Sequence, residues 1–128
     1  MKKIIRIVLT IVLMLLVVGG IIYRMPHSIV EVNANDVSKI AVCNVNVTEP
    51  QLIEKILEDL GGSEYKRTKP SGIGGYEEYS IRVYDKSDNL ICSIGIADEV
   101  TVDTGIFFEQ RQSGQLDMSL YQSVVETD

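Results

Sequence analysis

Ile7 to Tyr23 is a run of 17 uncharged residues, almost all Ile, Val, Leu and Met, interrupted only by Thr10, Gly19 and Gly20 and preceded by the basic tip Met1-Lys-Lys-Ile-Ile-Arg6. A helix on the surface of a soluble domain needs one polar side, and this run offers none. At ~1.5 Å per residue it covers about 25 Å. With Ile4 and Ile5 added it approaches the ~30 Å hydrocarbon core of a bilayer. Residues 4–23 are therefore expected to enter a membrane, which is the first partner the chain implies.

The same basic start and apolar middle also describe an export signal. Small residues before a cut occur at Val18-Gly19-Gly20 and at Val32-Asn33-Ala34. The first would leave an apolar terminus and the second lies well past the run. A lipid anchor would need a Cys close behind the span, but Cys43 is twenty residues beyond Tyr23. The expected organisation is a basic tip and signal-anchor at 1–27, a linker at 28–35 and a domain at 36–128. Basic residues are retained on the cytoplasmic side. Lys2, Lys3 and Arg6 precede the span and only Arg24 and His27 closely follow it, which directs the amino terminus inward and the body outward. Cleavage near Ala34 would instead release a secreted inhibitor or ligand-binding protein.

Charge narrows the partners. Eight basic and eighteen acidic residues follow Pro26, a formal balance of −10. Nucleic-acid binding relies on Lys and Arg displacing counterions from phosphates, so no nucleic-acid partner is expected. Lys66-Arg67-Thr68-Lys69 is the sole basic cluster and reads as the exposed face of a strand.

The body alternates between two periodicities. Pro26 ends the first helix. Asp36 to Val45 reads as a strand rich in β-branched residues. Thr48-Glu-Pro-Gln51 then resembles a capping box, with Pro50 in the first turn. Leu52, Ile53, Ile56, Leu57 and Leu60 fall on one helical face, Glu54, Lys55, Glu58 and Asp59 oppose them, and Gly61-Gly62 supplies a stop. Strands are expected at Glu64–Lys69, Tyr76–Asp85, Leu90–Ala97, Val100–Thr104 and Ile106–Gln110, with Asp117 capping a short terminal helix. Meander connections and one amphipathic cover helix make an α+β domain: a small antiparallel sheet behind an N-terminal transmembrane helix.

Several fragments imitate chemical sites. Lys69-Pro-Ser-Gly-Ile-Gly-Gly75 has the glycines of a phosphate loop, but Tyr76 onward alternates as a strand, so no helix N-terminus follows to receive an anion. These glycines, Gly72, Gly74 and Gly75, read as a hairpin connection. With Tyr65, Tyr76 and Tyr79 they could line a shallow ligand or partner surface. Ser63-Glu-Tyr-Lys66 and Ser87-Asp-Asn89 match two elements of the serine β-lactamases and penicillin-binding proteins, but Ser63 follows a helix instead of opening one and the third element is missing. Asp103-Thr-Gly105 matches the aspartic-protease triplet with too little chain behind it for a flap, and reads as a turn. His27 is the single histidine, so a His-based metal site is not expected, and no cofactor is implied. Cys43 and Cys92 are open to two readings, a disulfide in an oxidising compartment or two buried thiols.

Asp36-Val-Ser-Lys-Ile-Ala-Val, Leu52-Ile-Glu-Lys-Ile-Leu, Tyr65-Lys-Arg-Thr, Tyr79-Ser-Ile-Arg-Val-Tyr-Asp-Lys and Leu116-Asp-Met-Ser-Leu-Tyr together resemble an uncharacterised family of small membrane-anchored or lipid-anchored proteins of Gram-positive Firmicutes. The resemblance implies an extracytoplasmic address and this fold, and no residue role. The functional expectation is a membrane-tethered binding or sensing module without catalysis, facing an envelope or membrane protein. A small hydrolase using carboxylates is the competing class.

Overall fold

The computed structural model describes residues 1–71 and 77–126. Helix α1 runs from Lys2 to Arg24 without a buried residue. After a 3-10 turn at Ala34–Asp36 come strands β1 (Val37–Val42) and β2 (Val45–Val47), helix α2 (Pro50–Gly61), strands β3 (Tyr65–Pro70), β4 (Tyr79–Asp85), β5 (Leu90–Ile96), β6 (Thr101–Asp103) and β7 (Phe107–Arg111), and helix α3 (Met118–Glu126). The chain is α+β: an N-terminal apolar helix, an open seven-stranded antiparallel sheet and two helices against it.

The strand order is β2-β1-β4-β5-β6-β7-β3. Cross-strand partners share a face, so the register Val42↔Ile81↔Ile94 and Tyr79↔Ile96↔Val102↔Glu109 defines the inner one. Ile40, Val42, Ile81, Val83, Ile96 and Val102 are wholly buried there. Ile53, Ile56, Leu57 and Leu60 of α2 and Tyr121 and Val124 of α3 close over them in one core. Val30 joins that core, so the segment expected as a free linker packs against the domain.

Four details differ from the sequence expectations. The first strand is two, because Cys43 takes a φ of 55° and turns the chain through Cys43-Asn44 in the manner of a two-residue hairpin. Helix α2 starts one residue later than a Thr48 cap requires. Pro50 forces the residue before it to be extended, so Glu49, at φ −70° and ψ 121°, becomes the cap without a side-chain hydrogen bond. Gly62 ends that helix in right-handed geometry; a Cβ there would stand 3.0 Å from Arg111 Nη2, so it serves close approach. Only β4 to β7 form a meander. β3 is carried by α2 to the far edge, where it pairs with β7 around a bulge between Arg67 and Lys69. Its exposed lysines suit a sheet border.

Candidate functional site

Of the side chains expected to line a ligand surface, Gly72, Gly74, Gly75 and Tyr76 lie outside the described residues. Tyr65 and Tyr79 stand on strands separated by three others. Tyr65 is fully buried. Its hydroxyl accepts from Arg111 Nη1 at 3.1 Å, and the same nitrogen donates to Asp59 O at 2.7 Å. Tyr79 is half-buried with its ring centroid 6.0 Å from that of Tyr121. The two therefore form no common surface, because alternation turns Tyr65 into the core.

Around Tyr65 the structure assembles a closed polar network. Tyr121 donates to Asp59 Oδ2 at 2.7 Å, and Asp59 also accepts from the Asp117 backbone at 3.1 Å. Burial pushes the Tyr121 phenol far up, and the Asp59 carboxylate beside it adds to the effect. Burial also raises Tyr65, with the Arg111 guanidinium pulling the other way. Each group has its partner, so the network fixes α2, α3, β3 and β7 together instead of offering a reactive group.

The second buried polar feature is Glu109, the one charged side chain on the inner face among the described buried residues. By register its neighbour is Arg67, but that guanidinium turns toward Tyr23 O at 3.1 Å. Glu109 pairs instead with His27, Nε2 to Oε1 at 2.5 Å. His27 is held in place by mutual backbone hydrogen bonds with Tyr65, at 2.9 and 2.7 Å. Arg67 sits 5.6 Å from both the Tyr23 and Phe107 rings, which meet edge to face at 5.2 Å. The end of α1 and the segment after it are thus fastened to the β3–β7 edge. Sequence reasoning missed Glu109. The Phe107-Phe108-Glu109 run has no fixed register until β6 is placed, and nothing local to His27 signals a carboxyl partner 82 residues on.

The fragments that imitate catalytic signatures have local partners. Ser63 Oγ donates to Glu64 O and accepts from Ser113 N, each at 2.9 Å. Ser87-Asp-Asn89 is the β4–β5 turn, its amides bound to Asp85 Oδ1 at 2.9 Å. Asp103 Oδ1 accepts from Gly105 N at 2.8 Å and from Ser71 Oγ, closing the β6–β7 turn, where Gly105 takes a φ of 93°. Asp98 Oδ1 caps Val100 N and Thr101 N. Among the described residues no group of three His, Cys, Asp or Glu converges as a metal site would require.

Cys43 and Cys92 are free thiols, and the disulfide reading fails on register. Cys43 lies level with Ser80, Cys92 is paired to Val83, and their strands have β4 between them. Two strand spacings and three residues put them more than ~10 Å apart, past the ~7 Å limit for a bridge. Burial raises the Cys92 thiol.

Open clefts flank α2. One of about 340 Å3 lies at the free edge, lined by Val45, Val47, Thr48, Leu52, Ser123 and Val124. Another, of about 550 Å3, separates α2 from the Val30–Ala34 segment. The β2 edge is six strand spacings, about 29 Å, from the edge that holds the end of α1. Comparison with protein-family models, curated proteins and solved structures finds no match to this chain.

Proposed function

We propose that the chain is a single-pass membrane protein with its amino terminus in the cytoplasm and residues 36–128 presented outside as a non-catalytic binding or sensing module. The carrying observation is the two-ended layout: an apolar helix with none of its length buried holds one sheet edge, while the opposite edge, β2, lies beside a cleft lined by apolar Val45, Val47 and Leu52 together with polar Asn46, Thr48 and Glu49. A short edge strand next to a groove accepts an extended segment by adding it to the sheet, with side chains in the groove giving selectivity. The occupant that fits is a peptide segment of an envelope or membrane protein. The membership suggested by the Firmicutes resemblance belongs to the same proposal.

Two findings weigh against the competing readings. Cleavage after Ala34 would remove Val30 from the core and His27 from Glu109. Against a carboxylate hydrolase, Asp85, Asp98 and Asp103 all accept hydrogen bonds within their own turns. The test is fractionation of the producing cell with intact mass of membrane-bound and soluble chains, and external protease on whole cells. Full-length mass in the membrane with the body shaved from outside is the expected result. A mature chain beginning near Asn35 in the medium would overturn the tether.

A further inference from the structure

The strands define which end of the sheet meets the anchor. β4 and β6 run one way and β5 and β7 return, so the β4–β5 and β6–β7 turns lie at the same end. β3 also finishes there, at Pro70 paired with Phe107. Tyr23, at the end of α1, packs on Phe107. The next residue back along the chain is Ile106, the most exposed large apolar side chain described after α1, at 71%. Leu90 and Ile91, also exposed, begin β5 at this same end.

Ile106 is held out by a rigid device. Thr104 N donates to Phe107 O at 3.0 Å, Thr104 Oγ1 donates to the same oxygen at 3.2 Å, and Asp103 binds the turn from within. The Asp103 carboxylate is thereby engaged by Gly105 N and Ser71 Oγ. Basic groups surround the spot instead: Arg24 ends α1, Arg67 lies against Tyr23, and Lys69 Nζ is 5.2 Å above the Phe108 ring. The β4–β5 turn at this end adds Asp85 and Asp88, the latter paired with Lys39, so the basic groups and aromatic rings concentrate on the β3–β7 side of it. Aromatic and basic side chains around an apolar tip are the composition of a membrane–water boundary.

We propose that this end of the sheet is a second membrane contact, in which Ile106 enters the headgroup boundary and Arg67 and Lys69 lie over anionic phospholipid headgroups. The body then rests on the bilayer in one orientation instead of swinging on its tether. The inference relies on the reading of α1 as a span.

The chain has no Trp, so single Trp probes report position. The full-length protein is placed in nanodiscs whose acyl chains are brominated, with anionic or zwitterionic headgroups, and three variants are compared. Leu13→Trp reports the span, Ile106→Trp the turn, and Gln112→Trp the opposite end of β7, about 20 Å away. Expected are strong quenching at 13, loss of roughly half the emission at 106, as for a ring at the headgroup boundary, and none at 112. Zwitterionic headgroups, or Lys69→Glu beside Ile106→Trp, should restore part of the emission at 106. Quenching at 13 without quenching at 106 overturns the contact and leaves the anchor standing. No quenching at 13 overturns the anchor itself. Equal quenching at 106 and 112 overturns the oriented docking, and indifference to headgroup charge overturns the role of Arg67 and Lys69.

Discussion

Replacing His27 by Ala should unfold the body more readily than any surface change of similar size, because it strands a buried carboxylate. The Glu109 side chain is 4% exposed and its partner His27, 2.5 Å away, is 30% exposed. Removing one member of an enclosed pair typically costs ~3–5 kcal/mol. His27 is itself partly open, and water can enter the space it leaves, so we expect about 2–3 kcal/mol here. For a body near a hundred residues this lowers Tm by roughly 10–20 °C. The assay is urea unfolding of the full chain in detergent, followed by the near-UV dichroism of its tyrosines. The control is Lys39→Ala, which breaks an exposed pair with Asp88 and should cost under ~0.5 kcal/mol. Replacing Glu109 by Leu removes the charge that needs a partner, so in that background His27→Ala should lose less than about 1 kcal/mol, a coupling of about 2. An equal loss in both backgrounds, or a loss no larger than that of Lys39→Ala, would refute the argument.

Leu60, wholly buried on the inner face of α2, should cost roughly 2–5 kcal/mol when cut to Ala by the cavity it leaves; a change under ~1 in the same urea experiment would place α2 elsewhere. Cys43→Gly should stabilise by up to ~1 kcal/mol, because φ is 55° there and glycine adopts such geometry freely; a loss of stability would mean the thiol makes a contact that outweighs the strain. Tyr65 and Tyr121 are held protonated in the fold, so above pH ~10 the unfolded chain releases protons that the native chain keeps, and stability falls with rising pH by up to ~1.4 kcal/mol per unit for each. Their contribution is complete below pH ~10. Phenolate absorbance should therefore show two tyrosines ionising only as the dichroism collapses, one of them missing in Tyr121→Phe; titration of every tyrosine with the native spectrum intact would count against it.

Legibility followed the strength of local periodicity. Helices α1 and α2 declare themselves through apolar spacing alone, and the paired faces of β4 and β5 through strict alternation of Ile81, Val83, Ile94 and Ile96. Turn chemistry was readable at Asp85–Asn89 and Asp103–Gly105, where the side chain bonds its own backbone. What escaped depends on partners distant in sequence. The place of β3 beyond β7 leaves no local mark, because Lys66 and Lys69 suit any exposed strand. The division at Cys43-Asn44 lacks the glycine that normally signals a hairpin. The Tyr65–Arg111 and His27–Glu109 contacts join residues 46 and 82 positions apart, and the reading of Tyr65 as a surface residue failed with them.

The placement of β3 has a consequence for the order of assembly. The β1–β2 hairpin and the β4–β7 meander are built from neighbours in sequence, whereas β3 must wait for residues such as Arg111, 46 positions after Tyr65. Late closure of long loops is the slow part of folding a sheet. If the chain folds in the order it is made, β1 and β2 can pair with each other and then with β4, while β3 waits for β7, and the clasp on the end of α1 is the last to shut. A chain interrupted before Glu109 would keep α1 and most of the sheet, yet would lack the contact that fastens one to the other.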